Sequence, residues 1–157
     1  MRPTLNPDDS PSRDIILFDR TPVWTYLWTE SFRRGDVVYL TSPEEPKQKL
    51  VKRIVALEGD QVRPLAGYPI EGTAKIPKNH AWIEGDEPLG RDSNTFGPVS
   101  VNLIKGRAVF IVWPLSRFGS LPMADSTSQD PWSVPRRLAA REQARQERVQ
   151  PSDNSRR

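Results

Sequence analysis

Sixteen prolines in 157 residues, about twice ordinary usage, limit what this chain can build. Proline removes a backbone donor and breaks helix interiors and central strands, so a helix bundle is disfavoured and a loop-rich β protein favoured. Between the prolines lie short apolar runs of strand length. Asp14-Ile15-Ile16-Leu17-Phe18 follows a Pro/Asp/Ser-rich opening. Asp36 to Thr41 enters after Arg34-Gly35 and stops at Ser42-Pro43. Lys49 to Leu57 is the longest, closed by the Glu58-Gly59-Asp60 turn and resumed at Gln61-Val62-Arg63. Ala81-Trp82-Ile83 precedes a Gly-Asp pair, and Ala108 to Trp113 ends at Pro114. Strands of this length and spacing, broken by Gly and Pro, predict an all-β fold, a small coiled β-barrel-like core over residues 1–122.

Composition removes several function classes. With no cysteine and a single histidine, His80, there is no disulfide framework, no thiolate metal site and no His-rich site, so no metal is expected. His80, at a strand start, reads as structural. No Gly-rich phosphate loop is present, and no cofactor is implied. The apolar runs fall far short of the ~18 residues of a membrane-spanning helix, and the first seven residues have no charged lead or apolar stretch of a targeting signal. A net charge of +3 is mild, and its arginines crowd the C-terminal tail. Trp24, Trp28, Trp82, Trp113 and Trp132 are scattered rather than interleaved with a basic stripe, so no nucleic-acid partner is expected. Residues 123–157 are polar, with no apolar stripe beyond Leu138 and a few alanines. Such a helix is marginal in water, and the segment reads as a disordered or partly helical tail. It is either a solvated extension or a basic arm for anionic lipid or RNA, the former being the commoner case.

Alternation along the longest strand puts Lys52 on one face with Leu50, Ile54 and Ala56, and Arg53 on the other with Val51 and Val55. A lysine on an apolar face loses hydration, which drives its pKa down. A neutral amine can serve as a general base, making a Ser-Lys pair possible without histidine. The ordinary alternative is an edge or snorkelling lysine. Asp92 opens Asp92-Ser93-Asn94-Thr95-Phe96-Gly97-Pro98. It reads either as a turn of short hydrogen-bonding side chains or as a turn supporting a buried basic group, with Asp92 paired to Arg53.

Taken in order, Met1-Arg2-Pro3-Thr4-Leu5-Asn6-Pro7, Arg34-Gly35-Asp36-Val37-Val38, Lys52 to Asp60, His80-Ala81-Trp82-Ile83-Glu84-Gly85-Asp86, Asp92 to Val99, Gly106-Arg107-Ala108 and Val112-Trp113-Pro114 resemble the type I signal peptidase family. The resemblance is closest to the subunit 2 branch of the mitochondrial inner membrane proteases. Each motif is weak alone; five in order with the expected separations are specific. The resemblance implies a membrane-anchored serine endopeptidase with a Ser-Lys dyad on a coiled β fold. Lys52 falls on the general base. Met1, Leu5, Leu50 and Val51 fall where the family shapes shallow pockets for small side chains of an extended substrate. Asp92 falls on the carboxylate that holds the arginine after the base, here Arg53, with Ser93 and Asn94 beside it. Because Asn94 supplies no cation, Asp92 is expected to depend on Arg53.

Two departures shape the expectation. The family's nucleophilic serine comes directly before the methionine that is Met1 here. Ser10 and Ser12 lie in the wrong context to replace it, so the resemblance implies an N-terminally truncated member whose serine and membrane anchor lie upstream. A chain of these residues is expected to be inactive, through a start assigned at an internal methionine rather than a dead paralogue. Second, Glu87-Pro88-Leu89-Gly90-Arg91 lacks the Ser or Thr hydroxyl that orients the lysine amine in the family. The resemblance further implies cleavage of sorting signals after a small residue, a partner protease subunit, and a catalytic domain facing the intermembrane space from the inner membrane. A non-catalytic scaffold or signal-segment binder is the alternative. A self-cleaving repressor-type peptidase would need a DNA-binding segment and scissile peptide that the sequence does not show.

Overall fold

The computed structural model describes residues 1–7, 13–21, 32–70, 72–87, 90–121 and 134–152. Ser10, Ser12, Trp24, Trp28, Pro88, Leu89, Trp132 and the expected boundary at 122/123 lie outside these. The elements run β1 (Ile15–Asp19), β2 (Val37–Thr41), β3 (Lys49–Leu57), β4 (Gln61–Val62), β5 (Ala74–Lys75), β6 (His80–Glu84), α1 (Ser93–Phe96), β7 (Val99–Ser100), β8 (Ile104–Trp113), β9 (Gly119–Ser120), α2 (Val134–Gln146) and β10 (Val149–Gln150). The chain is mainly β, as its prolines and strand runs require. β3 occupies the range read from sequence, whereas β8 begins four residues earlier than its apolar run, at Ile104.

Seven strands form one antiparallel sheet in the order β1-β8-β2-β3-β6-β7, with β9 on β8. β10, β4 and β5 form a second, three-stranded sheet. Among the described residues β1 and β7 do not pair, so the larger sheet is open and no barrel closes. Register irregularities in the β1–β8, β2–β8 and β3–β6 ladders supply the coiling, because a bulge adds local twist.

β3 is covered on both faces. Ile54 joins Phe32, Val38, Leu40, Ala81, Ile83, Val99, Val101 and Ile104 in one core, while Val55 joins Val62, Ile76 and Trp82 in another. An ionisable residue in the covered middle of such a strand is taken out of water, as Lys52 is. The Gly59 turn connects β3 to β4 with φ at 86°, in the region glycine tolerates best, and the Asp60 carboxylate closes it by accepting from the Leu57 N–H at 2.9 Å.

The tail, read as disordered or partly helical, forms α2 over 13 residues. Leu138 is buried, as is Arg145, which is only 6% exposed. β10 pairs with β4, and Ser152 donates its N–H to Asp60 at 2.9 Å. Apart from Leu138 and Val149, which packs against the second core, the anchoring is ionic, which is why hydrophobic periodicity gave no sign of it. Among the described residues no helix is long and apolar enough to cross a membrane.

Candidate functional site

Lys52 sits in the middle of β3, opposite Val38 of β2, and is 8% exposed. Burial pushes its ammonium below the ordinary lysine pKa, while the carboxylates of Asp92 and Asp86 push the other way without cancelling the effect. Leu50 and Ile54 share one core as alternation expects, whereas Ala56 passes to the other core with Val55 at the β3–β6 register shift; Lys52 does not snorkel. Its amine is walled by the segment after β6. An ideal Cβ on Gly85 would lie 3.3 Å from Lys52 Nζ, and one on Gly90 3.2 Å from it. Both are closer than side chains ordinarily pack, so glycine at 85 and 90 leaves room for the amine. Gly90 stands in the stretch where the orienting hydroxyl was missed in the sequence.

The Met1 amino group is near enough to feel this lysine's charge. Burial lowers its pKa, Glu87 and Asp86 raise it, and the Lys52 charge lowers it again. The start of the described chain and the buried amine thus occupy one electrostatic neighbourhood. Leu5 is buried at 4% exposure, and Leu50 and Val51 are half-buried on β3, with Leu50 packed against the larger core.

Arg53 points to the opposite face, as alternation requires, but its partner is not Asp92. Its Nε and Nη2 donate to the two oxygens of Asp86 at 3.0 and 2.8 Å, and its Nη1 donates to the Gly35 carbonyl at 2.7 Å. Thr4 completes the cluster: its hydroxyl donates to Asp86 and accepts from Arg53 at 3.0 Å. The expected Asp92–Arg53 pair is therefore corrected to Asp86–Arg53. The reason is geometric. Asp92 caps α1, accepting from the Asn94 N–H at 3.0 Å, the Asn94 amide at 3.0 Å and the Gly85 N–H at 3.1 Å. It lies on the Lys52 side of the strand, so the charge it faces is the lysine. Ser93 and Asn94 bind the turn to its surroundings: Ser93 Oγ accepts from the Ile83 N–H at 2.9 Å, and Asn94 Oδ1 accepts from the Leu65 N–H at 2.8 Å.

Four residues of this cluster were given no role from sequence. Glu84 accepts from Trp82 Nε1 at 3.1 Å and from both Nη atoms of Arg148, the shortest contact being 2.8 Å. Arg145 donates to Glu84, to the Gly85 carbonyl and to Asp86 at 3.3, 3.0 and 3.1 Å. Glu84 and Asp86 belonged to a recognised motif, so a signal existed for them. Arg145 and Arg148 stand in a polar run that gave none.

Burial raises the pKa of both acids, but the balance falls the other way. Arg148, Trp82 and Arg145 bring Glu84 below the usual carboxylate range, and Arg53, Thr4 and Arg145 do so for Asp86. A carboxyl whose folded pKa is depressed adds stability above its unfolded value and loses it as pH falls through the folded one. The melting temperature is therefore expected to hold from neutrality to about pH 5 and to drop below about pH 4, near ordinary carboxyl values. Circular dichroism melts across that range measure it, and a melting temperature flat down to pH 3 would contradict this account.

Comparison with known proteins gives the chain's family. The family model described as signal peptidase, peptidase S26, matches residues 1–68. Mitochondrial inner membrane protease subunit 2 of Danio rerio is 44% identical over 119 residues, covering 75% of this chain and 62% of the relative. The protein of the same name from Mus musculus is 43% identical over 122 residues, covering 77% and 66%. That of Saccharomyces cerevisiae is 35% identical over 127 residues, covering 76% and 67%. The chain thus spans about two thirds of the length of the relatives it matches. On those identities the chain belongs to the signal peptidase family, peptidase S26.

Proposed function

We propose that this fold is the peptide-cutting unit of a serine endopeptidase of the mitochondrial inner membrane, with Lys52 as general base. The observation that supports this most is the buried Lys52 amine, walled by Gly85 and Gly90, with the N-terminal segment tied to the same turn through the Thr4 hydroxyl on Asp86; both that amine and the Met1 nitrogen are partly stripped of water. A serine joined to that nitrogen would stand next to an amine able to take its proton. In the proposed reaction the serine Oγ attacks the scissile carbonyl carbon while its proton passes to Lys52 Nζ. The tetrahedral intermediate collapses to an acyl-enzyme, and Lys52 returns the proton to the departing amine. Water then enters and gives a proton to Lys52 Nζ as its oxygen attacks the ester carbon; the acyl–Oγ bond breaks, Lys52 returns the proton to the serine Oγ, and the acid is released. Backbone N–H groups at the serine turn would stabilise the oxyanion.

Met1, Leu5, Leu50 and Val51 are assigned to the pockets for small side chains before the cut, with the substrate laid alongside β3. Asp92, Ser93 and Asn94 hold the turn against the amine, and Arg53 ties β3 to Asp86. The substrates proposed are sorting signals of proteins delivered to the intermembrane space. The enzyme would face that compartment, be anchored by a segment preceding these residues and pair with a second protease subunit.

Two polypeptides test the proposal, one of these 157 residues and one with a serine joined to Met1. The second is expected to cleave a peptide with a small residue before the scissile bond, and the first to leave it intact. Cleavage by neither, with the peptide still bound, would replace this reading with a non-catalytic signal-segment binder.

A further inference from the structure

One helix touches both halves of the site. Arg141 of α2 donates to the Arg2 carbonyl at 3.2 Å. One turn later, Arg145 grips Glu84, Gly85 and Asp86 with a single guanidinium. Residues four apart share a helix face, so the two arginines present one surface to two segments far apart in sequence. Those segments also meet directly, through the Thr4 hydroxyl on Asp86. Gly85 is held from both ends, its carbonyl by Arg145 and its N–H by Asp92 at 3.1 Å, and with Gly90 it walls Lys52 Nζ. Arg148 continues the grip, its guanidinium paired with Glu84 at 2.8 Å.

We propose that α2 is a positioning clamp: Arg141 and Arg145 lock the N-terminal segment against the Glu84–Asp86 turn and so set the distance between Lys52 and the residue joined to Met1. The inference deepens the reading of Lys52 as the base and rests on it. Neither arginine touches the amine, so both act through the groups they hold. The charged groups facing Lys52 are Asp92 and Asp86 from the segment after β6 and the Met1 amine from the N-terminus. Arg145 acts on this set by neutralising Asp86, jointly with Arg53.

Replacing Arg145 leaves Asp86 less neutralised and the Gly85 wall looser. Both changes favour the ammonium form of Lys52, so less neutral amine is present at a given pH. The test is competitive acylation of the full chain across pH 6 to 11, with Lys52 read by mass spectrometry against the exposed lysines. In Arg145→Met, Lys52 is expected to be acylated roughly three- to tenfold more slowly near pH 8, one pKa unit being tenfold, with the other lysines unchanged. An unaltered Lys52 profile in a folded Arg145→Met chain would overturn the clamp. Should that variant not fold, native-state hydrogen exchange on the unaltered chain decides. The α2 amides and the Gly85 N–H are expected to open in one step, and opening of α2 that leaves Gly85 protected refutes the proposal. Neither readout uses cleavage. An active serine-joined Lys52→Met chain would sink the base reading while leaving the acylation result intact.

Discussion

Lys52→Met in the serine-joined polypeptide is expected to cut its peptide at least about a hundredfold more slowly, the low end of what a positioned general base contributes. Its folding is expected to be unharmed or improved. Methionine has nearly the shape of lysine without the ammonium, and Lys52 is 8% exposed beside apolar neighbours. A charge removed from such a site removes a desolvation penalty. Loss of rate without loss of stability separates a chemical role from a structural one. Single-turnover cleavage and thermal melts on the same preparation make the comparison. Retention of the rate to within a few-fold would eliminate the lysine as base. The parent's rate is expected to rise with pH through the depressed lysine pKa, since only the neutral amine accepts the serine proton.

Asp86→Ala carries the largest expected effect on stability. Asp86 is fully buried and receives Arg53, Arg145 and Thr4. Its removal leaves two guanidiniums short of a carboxylate in a dry site, and breaking a buried pair from one side costs about 3–5 kcal/mol. Urea unfolding of the 157-residue chain should register most of that loss. The exposed pair of Arg91 with Glu44, 2.5 Å apart, is the comparison: Glu44→Ala should leave the midpoint within scatter, because solvent screens such pairs. Equal effects at the two sites would contradict the ledger of buried charge drawn here. The same logic explains how Glu84, at the end of β6, and Asp86, just beyond it, are buried together: Glu84 is matched by Arg145 and Arg148, and Asp86 by Arg53 and Arg145.

Strand runs were legible because apolar alternation and proline punctuation are local signals. β3 was read over its full length, and the face of Lys52 followed from period-two alternation. The two-residue strands β5, β7, β9 and β10 gave no such pattern; a ladder that short depends on the neighbour it pairs with. The partner of Arg53 was misassigned for a related reason. Sequence order offers Asp86 and Asp92 equally, and only the fold shows that Arg53 reaches Asp86 while Asp92 is taken up by the Gly85 and Asn94 N–H groups. Family resemblance supplied the motif but not that geometry.

Local chemistry in the chain itself thus determined the β architecture, the strand carrying the lysine, the apolar company that lysine keeps and the turn beginning at Asp92. Tertiary structure alone decided which carboxylate meets which cation, that Gly85 and Gly90 wall the amine, and that a polar tail folds back as α2 to hold the turn beside it. Periodicity reports burial along one element, because side-chain direction repeats within it. Ion pairing between residues 59 positions apart, such as Arg145 and Asp86, leaves no periodic trace, since a charged side chain looks the same in sequence whether it faces water or a buried partner.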